Sequence, residues 1–196
     1  MEIIFATSNA HKASEVNQIL GIDQCQLKTL KDIGFTEDIA ETGATLNENA
    51  WIKTDHIHRL YGGNVIAEDT GLEVFALDME PGVYSARYAG SQRSDQDNMD
   101  KLLNELVDKD NRKAQFRTVV ALILNDERHT FEGIVSGHIA ESRTGNGGFG
   151  YDPIFVPDGY SESFGVLSAE VKNSISHRGR AFAQVAAFLK RIQKTL

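Results

Sequence analysis

Glu41 and Asp69 are carboxylates able to hold a hard divalent cation, and Lys12, Lys53, Lys172 and Arg178 are cations able to hold the anion such a metal accompanies. Lys53 is the sharpest of these, because it falls on the same helical stripe as Leu46, Ala50 and Ile57. Its ammonium must run out to water or meet an anion. The polar segment Thr7-Ser8-Asn9-Ala10-His11-Lys12 opens a helix, where free backbone N–H groups and the positive dipole end suit a phosphate or carboxylate. Ser8 or Asn9 acting as a plain N-cap is the competing reading. The glycines and Gly-Lys-Ser/Thr ending of a P-loop are missing.

Each remaining candidate has an ordinary reading beside the chemical one. Glu68 and Asp69 end an apolar strand, and as neighbours in extended chain they point to opposite faces, so one of them faces a given site. By itself Asp69-Thr70-Gly71 reads as a turn whose carboxylate bonds to amides two residues on. Glu41, in Ala40-Glu41-Thr42-Gly43, reads alone as a solvated loop acid. Phe149 and Tyr151 stand among Gly147, Gly148 and Gly150, where a flat ring either stacks on a ligand or covers a core edge. Lys172 and Ser176-His177-Arg178-Gly179 lie at the entry to the last helix, where the dipole disfavours cations and a bound anion would compensate. Together these residues describe a metal–nucleotide site that requires Mg²⁺.

The elements that must position them are set by periodicity. Ile3-Ile4-Phe5-Ala6 is a strand, and Ala13, Val16, Ile19 and Leu20 mark the helix after the polar turn. Thr45 and Glu48 form a capping box for a second helix with Leu46, Ala50, Lys53, Ile57, Leu60 and Tyr61 on one stripe, stopped by Gly62-Gly63. Val65-Ile66-Ala67 and Leu72-Glu73-Val74-Phe75 read as two strands around Asp69-Thr70-Gly71, and Pro81-Gly82 punctuates the segment after them. Ser94 caps a helix carrying Met99, Leu102, Leu103, Leu106 and Val107. Phe116 to Leu124 and Thr130 to Ile139 suit an antiparallel hairpin, and Phe182, Val185, Ala186, Leu189 and Ile192 mark a final helix.

A length of 196 residues predicts one domain over 1–196, and 41% hydrophobic with 24% charged residues is the composition of a chain that folds. Twenty Lys+Arg against 28 Asp+Glu leave a net charge of −8 with no basic stripe, which excludes duplex nucleic acid as the expected partner. The same acidity disfavours a naked polyphosphate and favours its Mg²⁺ complex. Cys25 is the single cysteine, which fits a reducing compartment. Val119 to Leu124, an apolar run too short for a bilayer, and a start without basic residues predict no membrane association and a cytoplasmic location.

Six ordered blocks resemble the inosine triphosphate pyrophosphatase family, which hydrolyses ITP, dITP and XTP to the monophosphate and pyrophosphate. They are Thr7 to Lys12; Glu41-Thr42-Gly43 with Glu48-Asn49-Ala50; Glu68-Asp69-Thr70-Gly71-Leu72; Pro81-Gly82-Val83-Tyr84-Ser85-Ala86-Arg87-Tyr88; Gly148-Phe149-Gly150-Tyr151-Asp152-Pro153; and Lys172-Asn173 with Ser176-His177-Arg178-Gly179. The resemblance implies a two-lobed α/β protein with a long twisted mixed β-sheet, flanking helices, a nucleotide cleft between the lobes and a homodimer. It implies that Thr7, Ser8, Asn9, Ala10, His11, Lys12 and Lys53 hold the triphosphate, that Glu41 and Asp69 bind Mg²⁺, and that Asp69 is the proton acceptor. Thr70 would touch the substrate. Phe149, Gly150, Tyr151, Asp152, Lys172, His177 and Arg178 would surround base and sugar with Phe149 stacked on the purine, and Ser85 and Arg87 would be wall and dimer-side residues. Thr70 stands where many members have Ser, Val171 where an acidic residue or Met is frequent, and Gly165 where Ala is usual. These departures bear on substrate ranking and leave the reacting groups in place. A catalytically silent nucleotide-binding protein and a phosphatase releasing orthophosphate are the alternative functions.

Overall fold

The computed structural model describes residues 1–20 and 25–193. Its strands β1 (Glu2–Phe5), β2 (Gln26–Thr29), β3 (Val65–Val74), β4 (Lys113–Leu124), β5 (Glu127–Ile139) and β6 (Phe155–Pro157) form one sheet in the order β2-β1-β3-β4-β5-β6. β1 runs parallel to β2 and β3, with Phe5 opposite Thr29 and Ile66, whereas β6 runs antiparallel to β5 with Val156 opposite His138. The sheet is therefore mixed and flanked by helices, the α/β class that the sequence predicts. The helices are α1 (Ala10–Leu20), α2 (Leu46–Tyr61), α3 (Asp95–Glu105), α4 (Ala169–Ile175) and α5 (His177–Gln193). Among the described residues no helix is long and apolar enough to cross a membrane.

The chain forms two compact units, one of Met1–Asp69, Thr118–Gly133 and the segment from Arg178 onward, the other of Thr70–Arg117 and Ile134–His177. In the first, the two-residue period of the strands sorts side chains onto two faces. Ile3, Phe5 and Ile66 join Val120, Leu122 and Leu124 against Val16 and Leu20 of α1 and Phe182, Val185 and Leu189 of α5, with the rings of Phe5 and Phe182 edge to face at 5.9 Å. Ile4, Ala6, Val65 and Ala67 take the other face, with Ile57 of α2, Leu30 and Phe35.

The capping box is present at the start of α2: Thr45 Oγ1 accepts from the Glu48 amide at 3.1 Å while Glu48 Oε2 accepts from the amide of Thr45 at 3.2 Å. Gly62 (φ 67°) ends the helix where a left-handed backbone is required. The buried stripe is shorter than its periodicity suggests. Leu60 and Tyr61 are 57% and 46% exposed, because the last turn runs beyond the apolar surface that buries Ile57.

Leu72, Val74, Met99, Leu102, Leu106, Phe116, Ile139, Phe155 and Phe164 fill the core of the second unit. Ser94 caps α3 as expected, its Oγ accepting from the Asp97 amide at 3.2 Å. The helix ends at Glu105, however, and Val107 beyond it is 73% exposed. β4 and β5 begin three residues earlier than their apolar runs suggest. They are joined by Asn125 and Asp126, whose φ values of 50° and 64° make the two-residue turn that fits the twist of a hairpin. The segment 144–150 is irregular, and the seven-residue α4 is not anticipated by the apolar periodicity.

A further expectation is overturned. Asp69-Thr70-Gly71 is not a turn between two strands but the middle of the ten-residue strand β3. Gly71 lacks a side chain for another reason: a Cβ there would lie 2.6 Å from the carbonyl oxygen of Gly82. Ser85 fastens this approach, accepting from the Leu72 amide at 2.9 Å and donating to the Gly82 carbonyl at 2.6 Å. Ser85 is thus a clamp between backbones, and Arg87 lies over the Tyr84 ring at 5.3 Å. Replacing Gly71 with Ala is expected to destabilise the fold by about 2 kcal/mol through overpacking against backbone. A urea denaturation midpoint unchanged from wild type would show that the contact carries no such constraint.

Candidate functional site

The alternation that sorts the core also sorts the acids of β3. Asp69 follows Val65 and Ala67 onto the α2 face, where Lys53 Nζ donates to Asp69 Oδ1 at 3.0 Å and to Glu41 Oε1 at 2.6 Å. The lysine is buried, so of the two outcomes open to it on the stripe it meets an anion, a pair of carboxylates from the chain itself. The loop carrying Glu41 is held to α2: Asn49 Oδ1 accepts from the Gly43 amide at 2.8 Å, and Glu48 Oε2 accepts from the Ala44 amide at 2.6 Å.

Burial pushes the Asp69 carboxyl above its ordinary pKa in spite of Lys53 and Lys12. Burial pulls the Lys53 ammonium down, but Asp69 and Glu41 together outweigh it and hold the group above its usual value.

Glu68 follows Ile66 onto the opposite face, toward α1 and α5. Both of its oxygens accept from Arg178 Nε, at 3.0 and 2.9 Å, and Lys12 Nζ lies 3.3 Å from Oε1. Arg178 also donates through Nη1 to Glu15 Oε2 at 2.6 Å. A cation in the first turn of α5 does need compensation, and Glu68 and Glu15 contribute it. Burial would raise the Glu68 pKa, but Arg178 and then Lys12 dominate and hold it at about 2. The Arg178 guanidinium is likewise held above its ordinary value, its two acids outweighing burial. At the start of α1 the capping reading is the one observed: Asn9 Oδ1 accepts from the amides of His11 at 2.9 Å and Lys12 at 3.2 Å, and Thr7 Oγ1 accepts from the Asn9 amide at 3.2 Å. Ser8, Ala10 and His11 are exposed.

The second unit gathers most of the other predicted residues. Asp152 Oδ2 accepts from Lys172 Nζ at 2.6 Å and from the Phe149 amide at 2.7 Å, and the Lys172 ammonium lies 4.9 Å from the centre of the Phe149 ring. The loop has little room. Gly148 takes φ 73°, and a Cβ on it would run into the Asp152 carboxylate. A Cβ on Gly165 would lie 2.6 Å from the Thr144 carbonyl oxygen, so glycine suits this position in place of alanine. The Gly150 amide donates to Asp95 at 2.7 Å, and Tyr151 is anchored through its hydroxyl to the Ser85 carbonyl at 2.9 Å. His177 is buried and stacked on Phe116 with ring centres 4.6 Å apart, and Thr70 is half-buried.

The structure thus brings Glu41, Lys53 and Asp69 together, joins Lys12 and Arg178 at Glu68, and groups Phe149, Asp152 and Lys172. Sequence reasoning missed Glu15 and gave Asn49, present in one of the resembling blocks, no role. Glu15 lies three residues after Lys12 on one helix face, and Asn49 is a polar residue on the buried face of α2, four residues before Lys53. Those spacings were the available signals.

Whether the acid pair suits a divalent cation is tested by its unused oxygen. Asp69 Oδ2 is buried without a hydrogen-bond partner. Among the described residues no group of three or more His, Cys, Asp or Glu surrounds a common point. Two carboxylates fit Mg²⁺, which keeps several waters and takes further oxygens from substrate phosphates, better than a metal that needs a complete protein cage.

The Ham1 family pattern matches residues 3–188. A dITP/XTP pyrophosphatase of Flavobacterium psychrophilum is 49% identical over 190 residues, which cover 97% of this chain and 100% of the relative. Among solved structures, a Ham1 protein of Staphylococcus aureus superposes with a TM-score of 0.88 at 41% identity, covering 97% of this chain and 98% of that one. A Ham1 protein of Coxiella burnetii gives 0.90 at 36% identity, covering 97% and 99%. Fold and sequence agree along nearly the whole length. The chain belongs to the Ham1 family.

Because Glu68 titrates near 2 in the folded chain and near 4.5 when unfolded, the unfolded chain binds the proton more readily between these values. Its contribution, about 3 kcal/mol, is complete above pH 4.5 and is lost as the pH falls toward 2. Glu68→Gln should cost about 3 kcal/mol at neutral pH by stranding buried charge, and should flatten this acid limb in urea denaturation. An acid limb as steep in the variant as in wild type would assign the loss to other groups.

Proposed function

We propose that this chain, a nucleoside-triphosphate pyrophosphatase by family, hydrolyses the nonstandard purine nucleotides dITP, XTP and ITP to the nucleoside monophosphate and pyrophosphate with Mg²⁺. The observation that carries the reading is the Glu41–Lys53–Asp69 cluster, in which Lys53 and Asp69 are buried and one Asp69 oxygen has no hydrogen-bond partner. Relatives named dITP/XTP pyrophosphatase over nearly their whole length support the substrate class.

Glu41 and Asp69 would hold Mg²⁺, which supplies charge neutralisation at phosphate oxygens and a more acidic water. Asp69, whose carboxyl is raised by burial, accepts the proton of the attacking water as the bond to the α-phosphorus forms and the bond from that phosphorus to the bridging oxygen breaks. Lys12 and Lys53 stabilise the departing pyrophosphate, and the positive dipole end of α1 behind the Thr7 to Lys12 segment adds support.

Phe149 offers a ring to the purine, and Tyr151, His177 and Lys172 border the base. Hypoxanthine and xanthine present an O6 acceptor beside an N1 donor, which a lysine donor matches and adenine reverses. ATP is therefore a poor substrate, and GTP is discriminated against. The reading includes a homodimer acting in the cytoplasm, supported by the family likeness and the single cysteine.

Asp69→Asn is expected to fold and to lose about 10³-fold in kcat, the range of a missing general base. Activity close to wild type removes Asp69 from that role. Resolved products from a panel of triphosphates should be monophosphate and pyrophosphate, fastest with dITP, XTP and ITP. Release of orthophosphate, or equal turnover of GTP, contradicts the assignment.

A further inference from the structure

Lys53 does more in this structure than wait for a phosphate. Its ammonium donates to both acids, at 2.6 and 3.0 Å, from a stem buried in α2, and so fills the place where a cation is wanted. We propose that Lys53 gates metal binding at the site, acting as a resident counter-ion that keeps Glu41 and Asp69 from taking a free divalent cation until a polyphosphate arrives to receive the lysine. The proposal rests on the metal reading above and assigns the order in which its parts assemble.

Two charges cannot share this position. A divalent cation on the same carboxylates would stand a few ångströms from a buried ammonium, in a medium that screens poorly. Either the ammonium leaves the pair or the metal stays in water. An ammonium that leaves needs another acceptor, because a buried lysine without one is costly. Asp69 Oδ2 has no hydrogen-bond partner, but it belongs to the same acid and offers no escape from the metal. Glu68, the next acid along β3, lies on the opposite face and is already held by Arg178 and Lys12. A polyphosphate brings the missing acceptor. Metal and polyphosphate must then favour each other's binding, and by linkage the enhancement is the same whichever is added first.

The test uses Mn²⁺ as the metal, followed by electron paramagnetic resonance of the free ion, with Lys53→Met and Lys53→Gln beside wild type. Without nucleotide, both variants should bind Mn²⁺ at least tenfold more tightly than wild type, since the competing charge is gone. The proposal is overturned if they bind it no more tightly. Should neither variant fold, melting of wild type with Mn²⁺, tripolyphosphate or both decides. A shift with both that exceeds the sum of the separate shifts supports the exchange. A shift with Mn²⁺ alone that matches the shift with both overturns it and leaves the metal reading standing. No bound Mn²⁺ in any protein under any condition removes the metal reading and the exchange together.

Discussion

Neighbouring residues of an extended strand face opposite ways, and at Glu68 and Asp69 this puts two buried carboxylates on the two sides of one backbone. A buried carboxylate without a cation is costly, so each side of β3 must bring its own positive charge. α1 and α5 bring Lys12 and Arg178 to Glu68, and α2 brings Lys53 to Asp69. The helices can do so because their apolar stripes are fixed by the same alternation, Ile66 facing α1 and α5 while Val65 and Ala67 face α2. Core register and charge register are one register, and a slip of one residue would exchange both acids at once.

Much of this was legible in the sequence because it is local. The capping box at Thr45 and Glu48, the glycine stop at Gly62, the opposed faces of Glu68 and Asp69 and the need of Lys53 for an anion all come from short-range geometry. The identity of that anion does not, since Glu41 reaches Lys53 from twelve residues away through a loop pinned by Asn49 and Glu48. Asp69-Thr70-Gly71 misled for the same reason. Turn composition is a local signal, whereas the reason for Gly71 is a backbone eleven residues further on that passes too close for a Cβ. The position of Arg178 at a helix start announced that compensation was needed, but not that Glu15 and Glu68 would supply it; Lys172, expected at the entry to the last helix, stands instead in the last turn of α4, where the dipole favours a cation.

The loop around Phe149 illustrates a second way of fixing a side chain. No regular element carries it; instead one carboxylate oxygen of Asp152 accepts from the Phe149 amide and from Lys172, while glycines remove whatever would obstruct that convergence. The ring is set by what surrounds a single acceptor. Rigid strands position the acids, and a hydrogen-bonded loop positions the aromatic.

The sharing of Arg178 between Glu15 and Glu68 also constrains how this polypeptide can diverge. Loss of either acid strands part of a guanidinium away from water, and loss of the arginine leaves Glu68 facing Lys12 alone, so these positions have few viable single-step neighbours. A change at any one of these positions is therefore felt on three segments far apart in the chain.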